Sequence, residues 1–160
     1  MKLEEIEPIA EKYVKILEPY CNRIQIAGSI RRRKKECKDI EIVIIRKPER
    51  LDELIKVVDK FGKIKGCIDG RYTQRMLPEG VKLDIFIARD DGTNWGNILL
   101  IRTGSWKFNV QVIGLRSKEV GLKHKFGYLW DGDERLECRE EEDVFRYLKM
   151  EYIEPEKRSW

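Results

Sequence analysis

Histidine is almost missing from this 160-residue chain, which has only His124, with four cysteines, three methionines and five prolines. Cys21, Cys37, Cys67 and Cys138 are scattered with no C-x-x-C pair. A zinc site therefore lacks a ligand set, and a Cys-His or Ser-His nucleophilic pair has little support. No apolar run approaches the ~18 residues that a membrane-crossing helix needs. The opening residues Met1-Lys2-Leu3-Glu4-Glu5 turn acidic at once and lack the apolar core of a secretory signal. The expectation is a cytoplasmic or nuclear protein, not secreted and not in a membrane, with reduced cysteines. Internal repeats and low-complexity linkers are also missing, and the length allows one domain, or one domain with a small appended lobe.

What is present is charge and compact apolar runs. Lys and Arg number 33 against 29 Asp and Glu, and 39% of the residues are charged. Runs such as Ile40 to Ile45 and Leu83 to Ala88 still supply a core, which excludes wholesale disorder. The net charge of +4 permits a polyanionic partner without demanding one, so the placement of the bases matters more than their sum.

Apolar spacing predicts a helix from Pro8 to Pro19, with Pro8 near its first turn, and a short strand over 24–27. Arg31 to Lys35 carries five consecutive positive charges and reads as a surface loop or hairpin. Asp39 to Ile45, apolar on both parities after its start, reads as a strand covered on both faces. A helix over 48–61 and strands over 63–68, 72–77 and 81–88 follow. Beyond the Asp90-Asp91-Gly92 turn come two helices, 95–101 and 108–118, candidate strands over 127–130 and 136–139, and a last helix over 141–149. The order suggests an α+β fold: a sheet core over residues 1–90 and a smaller lobe over 91–160.

Three acids interrupt strands where apolar residues would be ordinary. Asp39 and Glu41 are two apart and share a strand face. If the strand holding Asp84 pairs beside them, three carboxylates converge and repel one another unless a cation is present. Such hard oxygen ligands suit Mg2+ or Mn2+, often two ions serving phosphoryl or nucleotidyl transfer. Any one acid alone is better read as a solvated strand end. Upstream, Gly28-Ser29 ends a strand and is trailed by bases, a setting in which glycine admits close backbone approach, serine donates to phosphate and an arginine grips it.

These residues resemble a known family. Gly28-Ser29-Ile30-Arg31-Arg32, Asp39-Ile40-Glu41 and Leu83-Asp84-Ile85 match the nucleotidyltransferase signature of family X DNA polymerases, the relatives of DNA polymerase beta. Thr103-Gly104-Ser105-Trp106-Lys107-Phe108-Asn109 resembles the family's nucleotide-binding helix motif, and Glu142 to Phe145 with Tyr152 to Arg158 resembles its C-terminal ending. The resemblance implies a nucleotidyltransferase palm, a mixed sheet with flanking helices, and a thumb-like lobe. It further implies catalytic Asp39, Glu41 and Asp84 holding two Mg2+ ions, for which Mn2+ can substitute. Gly28, Ser29, Arg32, Arg102, Gly104, Ser105, Trp106 and Asn109 would bind the nucleotide, and Lys82, Lys123 and Lys125 would contact DNA.

Departures from the pattern carry expectations too. Glu41 is longer than the usual Asp, and Trp106 stands where an acid is common. Ile113 falls at a template-contacting arginine if no residue is inserted. Ile101-Arg102 replaces an aromatic pair that crowds the sugar, which puts ribonucleotide exclusion in question. The chain begins about where the family's palm begins, without a lyase domain or helix-hairpin-helix lobe, as in minimal viral members. The implied activity is deoxynucleotide addition to a primer 3′ end in gap filling or repair, by a monomer using DNA and a deoxynucleoside triphosphate. Alternatives are a template-independent or small-molecule nucleotidyltransferase, or a DNA-end-binding module whose catalysis has decayed. Outside the pattern, Arg31 and Arg33 to Lys35 are equally surface or DNA-backbone contacts, and His124 reads as exposed.

Overall fold

The computed structural model describes residues 1–159. The β-branched run after Asp39 forms strand β2 (Ile40–Arg46), an interior strand of a five-stranded sheet with β1 (Cys21–Ile26), β3 (Gly62–Cys67), β4 (Tyr72–Met76) and β5 (Lys82–Ile87). The strand order is β1-β2-β5-β4-β3, with β2 and β5 parallel and the other pairs antiparallel. Helices α1 (Leu3–Leu17) and α3 (Leu51–Val58) cover one face, where Ile6, Ala10, Leu17, Leu54 and Val58 pack on Ile40, Ile42, Ile44, Leu83 and Ile85. Val43, Ile45 and Ala88 meet Trp95 and Leu99 of α4 (Trp95–Thr103) on the other. The strand is thus apolar on both parities because both of its faces are covered.

The second sheet is small. Strands β6 (Lys123–Lys125), β7 (Tyr128–Asp131) and β8 (Glu134–Leu136) form an antiparallel meander in the order β6-β7-β8. Leu129 packs with Leu100, Phe108, Ile113, Val144, Phe145 and Leu148, a separate apolar cluster. The remaining helices are a short turn α2 (Gly28–Arg31), then α5 (Trp106–Phe108), a π-helical stretch Asn109–Gly114, α6 (Leu115–Glu119) and α7 (Glu141–Tyr147). The mixed sheet with flanking helices and a small C-terminal lobe is the α+β architecture that the order of elements implies.

Three local expectations need correction. Helix α1 starts at Leu3, so Pro8 lies inside it. Its start is fixed by Glu5, whose carboxylate accepts from the Lys2 amide at 3.1 Å, and by the Leu3 amide donating to the Lys35 carbonyl at 2.9 Å. Gly28–Arg31 forms a helical turn, so the loop expected over Arg31 to Lys35 begins only at Arg32. The strand expected over 136–139 ends at Leu136, because Cys138 is drawn to α4: its amide donates to Thr93 and its carbonyl accepts from Gly96. A β-carbon on Gly96 would lie 2.0 Å from the Glu140 carbonyl oxygen, so the glycine permits this approach.

Candidate active site

The in-register pairing of β2 with β5 sets Glu41 beside Asp84. Leu83 and Ile85 point to the α1 side, so strand alternation turns Asp84 to the opposite face. Asp84 is 6% exposed, and its Oδ1 accepts from the Tyr72 hydroxyl and from Gln74 Nε2 at 2.9 Å, both on β4. Burial, then the charges of Asp84 and Asp39, push the Glu41 carboxyl up to about 7, against the pull of Arg32 and Arg102. Burial and Asp84 likewise raise Asp39, opposed by Lys82 and Lys38. Glu41 thus feels the charges of Asp84 and Asp39, and Asp39 that of Asp84, at one end of the parallel pair.

Gly28 serves this cluster directly. It has φ +63°, and a β-carbon there would fall 1.7 Å from Glu41 Oε2. Glycine at this position thus lets the turn sit directly against the Glu41 carboxylate. Ser29 is half-buried in the turn that follows. Arg32 Nε donates to Ser159 Oγ at 3.0 Å, and its Nη1 donates to the Thr103 carbonyl. Burial lowers the Arg32 pKa, while the charge of Glu41 works the other way. A β-carbon on Gly104 would lie 3.1 Å from that same Nη1.

Arg31 is not a surface charge. Its guanidinium bonds both oxygens of Glu141, at 2.7 and 2.8 Å, and Thr103 Oγ1 at 2.8 Å. Glu141 also receives the wholly buried Arg158, at 2.7 and 3.3 Å. Burial raises the Glu141 carboxyl, but hydrogen bonds and charge from Arg31 and Arg158 outweigh it and leave it below its ordinary value. A buried charge needs a partner, and here the partner lies 110 positions away, which no local pattern announces.

Around the Thr-Gly-Ser motif, Ser105 Oγ caps the next turn by accepting from the Phe108 amide at 3.2 Å. Trp106 is 75% exposed. Asn109 Nδ2 donates to the Ile101 carbonyl at 2.8 Å, and its buried Oδ1 has no partner among the described residues. The Arg102 guanidinium lies over the Phe86 ring at 4.1 Å. Ile113 is 1% exposed and belongs to the lobe's core, so it cannot take up a template contact. It lies in the π-helical stretch Asn109–Gly114.

The remaining bases separate into two places. Lys82 is exposed beside Asp39, whereas Lys123 and Lys125 are exposed on β6 in the C-terminal lobe, with Lys125 over the Trp130 ring at 4.8 Å. His124 is half-buried, with Nε2 2.9 Å from Ser117 Oγ and Nδ1 3.2 Å from Asn97 Oδ1. This Ser-His-Asn row does not form a nucleophile, because Ser117 is buried and donates to the Ile113 carbonyl at 2.6 Å. The expectation of an exposed His124 fails because its ring braces α6 against α4.

The architecture is that of an α+β protein with a carboxylate-bearing mixed sheet and a small helical and hairpin lobe. Residues 98–159 match the family model described as the DNA polymerase beta thumb. The C-terminal region is thus a thumb of the kind found in family X polymerases. No curated protein matches the chain. Among the described residues no helix is long and apolar enough to cross a membrane.

Proposed function

We propose that this chain is a DNA polymerase of family X type, adding deoxynucleotides to a primer 3′ end during gap filling or repair. The observation that carries this reading is the placement of Glu41 beside Asp84, with Asp39 close by and the Gly28-Ser29 turn against Glu41, in a chain that carries a polymerase beta thumb. Among the described residues no three Asp, Glu, His or Cys side chains are arranged to hold a metal ion. In kind the donors fit one: they are hard oxygen ligands, and the burial and neighbouring carboxylate charge that raise the Glu41 carboxyl to about 7 are what a divalent cation offsets.

Asp39, Glu41 and Asp84 would hold Mg2+ or Mn2+, and bound ions of this class neutralise triphosphate charge and favour in-line displacement. Asp84 would orient the primer hydroxyl and receive its proton, exchanging its bonds from Tyr72 and Gln74 for that role. Ser29 and Arg32 would bind the triphosphate, Arg32 releasing Thr103 and Ser159 to do so. Gly104, Ser105 and Arg102 would shape the sugar pocket, Trp106 would stack on the base, and the unpartnered Asn109 Oδ1 would accept from its edge. DNA would lie along Lys82 and the thumb lysines Lys123 and Lys125.

Primer extension on gapped, blunt and single-stranded DNA, with Mg2+, with Mn2+ and with chelator, tests this reading. Metal-dependent addition that follows the template supports it. Loss of template dependence would favour a terminal transferase, and metal-independent DNA binding without any addition would overturn the enzymatic reading.

A further inference from the structure

A cavity of about 600 Å3 opens beyond the carboxylates, between the C-terminal end of β5 and the β6–β7 turn. Its size falls in the range of small-ligand sites. Arg46, Arg71, Arg89 and Arg102 line it, with Asp90 and Asp91 the only acids there. Both acids are engaged: Asp90 faces Arg46 Nε at 3.3 Å, and Asp91 accepts from the Thr93 amide and hydroxyl at 3.0 and 2.7 Å. Arg89 has only a loose contact to Asp91, at 3.7 Å. Arg71 is exposed and has no acidic partner among the described residues, whereas Arg102 lies over Phe86 and feels the charge of Glu41. The cavity therefore holds uncompensated positive charge.

Its outer wall carries Phe126, which is 74% exposed. Its φ of +53° and that of Gly127, +77°, are those of the two-residue turn that joins β6 to β7, so the hairpin accounts for the backbone while the ring is left in solvent. Gly127 follows it, and a β-carbon there would lie 3.2 Å from both Asn94 Nδ2 and Ile98 Cδ1, so the turn is set close against α4. An exposed aromatic face beside unpaired guanidinium groups is the combination that holds unpaired nucleotides, stacking the base and pairing the phosphate.

We infer that this cavity binds an unpaired nucleotide, with the base on Phe126 and the phosphate at Arg71 and Arg89. The site adjoins the carboxylate cluster through Tyr72 and Arg102, but it is inferred from its own lining and not from the polymerase reading. The same chemistry is offered by a free mononucleotide and by a single-stranded segment of DNA, and the two are distinguished by the choice of probe.

The test is fluorescence anisotropy with a labelled ten-residue thymidine oligonucleotide in EDTA, so that nucleotidyl transfer plays no part, and competition by thymidine monophosphate. Phe126→Ala should weaken the oligonucleotide by about tenfold and Phe126→Tyr by less than about twofold, as expected for base stacking. Arg71→Ala should weaken it and reduce the salt slope by about 1. Competition by the monophosphate that is lost in Phe126→Ala identifies a mononucleotide site; its failure to compete identifies a strand site. A 4-thiothymidine crosslink should fall on the segment holding Phe126. Unchanged affinity in both Phe126→Ala and Arg71→Ala, with unaltered circular dichroism and crosslinks elsewhere, would overturn the inference.

Discussion

Asp84 and Arg102 show how much a single side chain can be asked to do. Asp84 is nearly buried, and the two groups bonded to it, Tyr72 and Gln74, are neutral donors. Replacing it by alanine removes the carboxylate without touching a phosphate-facing base. Asp84→Ala should therefore lower single-nucleotide insertion by about 100- to 10,000-fold, the range of a lost general base, while DNA affinity by anisotropy stays within about twofold. Substantial residual insertion would remove Asp84 from the proposed chemistry. Arg102 supplies no ring of its own before Thr103-Gly104-Ser105, and it lies along Phe86. A guanidinium held there leaves the sugar pocket less crowded than an aromatic residue would, and can itself donate to a 2′-hydroxyl. Insertion kinetics should show weak discrimination against ribonucleotides, increased by about tenfold in Arg102→Phe, roughly the value of one lost or gained contact. Strong rejection in both proteins would place the sugar selection on the backbone.

Among the elements, the turn α2, the start of α7 and the C-terminal segment are fastened by one buried ion cluster, Arg31 and Arg158 on Glu141. Arg23 of β1 adds an exposed bidentate pair with Glu140 at 2.8 Å, worth little beside the buried cluster. Glu141→Ala leaves two guanidinium groups without their carboxylate, and urea unfolding should show a loss of about 3–5 kcal/mol. The sign of the pH effect follows from the depressed Glu141 carboxyl. Its stabilisation is present above the ordinary carboxylate value and is lost as pH falls through the folded value. Thermal midpoints of the natural protein should thus drop on the acid side, and Glu141→Gln should flatten that limb. A Glu141→Gln protein with an unchanged acid limb would show that other carboxylates govern it.

The carboxylate cluster acts on the whole molecule with the opposite sign. Glu41 is raised from 4.5 to about 7, so ionising it opposes folding. Its contribution is fully present below the unfolded value and is lost as pH rises through the folded one. Without metal, the melting temperature should fall between those two values on account of Glu41. Adding Mg2+ should raise it, and by more at pH 8 than at pH 5.5, because a ligand that binds only the folded, ionised cluster stabilises by mass action. Differential scanning calorimetry checks both, and Glu41→Gln should remove most of the pH dependence. A Mg2+ effect that is equal at the two pH values, or absent, would count against metal binding at this cluster.

The alternation of side chains along a strand is a local property, and for that reason the double-sided burial of Ile40 to Ile45 was legible in the amino-acid order, although the strand begins at Ile40 and leaves Asp39 just outside it. So were most of the helices, whose apolar spacing is equally local. The parallel register that sets Glu41 against Asp84 was only a condition in the sequence, since it depends on strands 43 positions apart. Within the basic run Arg33 to Lys35 are exposed, as consecutive charges imply, but the fate of Arg31 was not legible: it is partly buried because Glu141 reaches it from the far end of the chain, and Arg158 completes the cluster. The contact of Gly28 with Glu41 was likewise hidden, since it joins the α2 turn to a strand that follows the basic run. Charge burial and close approach are decided by partners brought together through the tertiary structure, and the sequence between them carries no mark of the meeting.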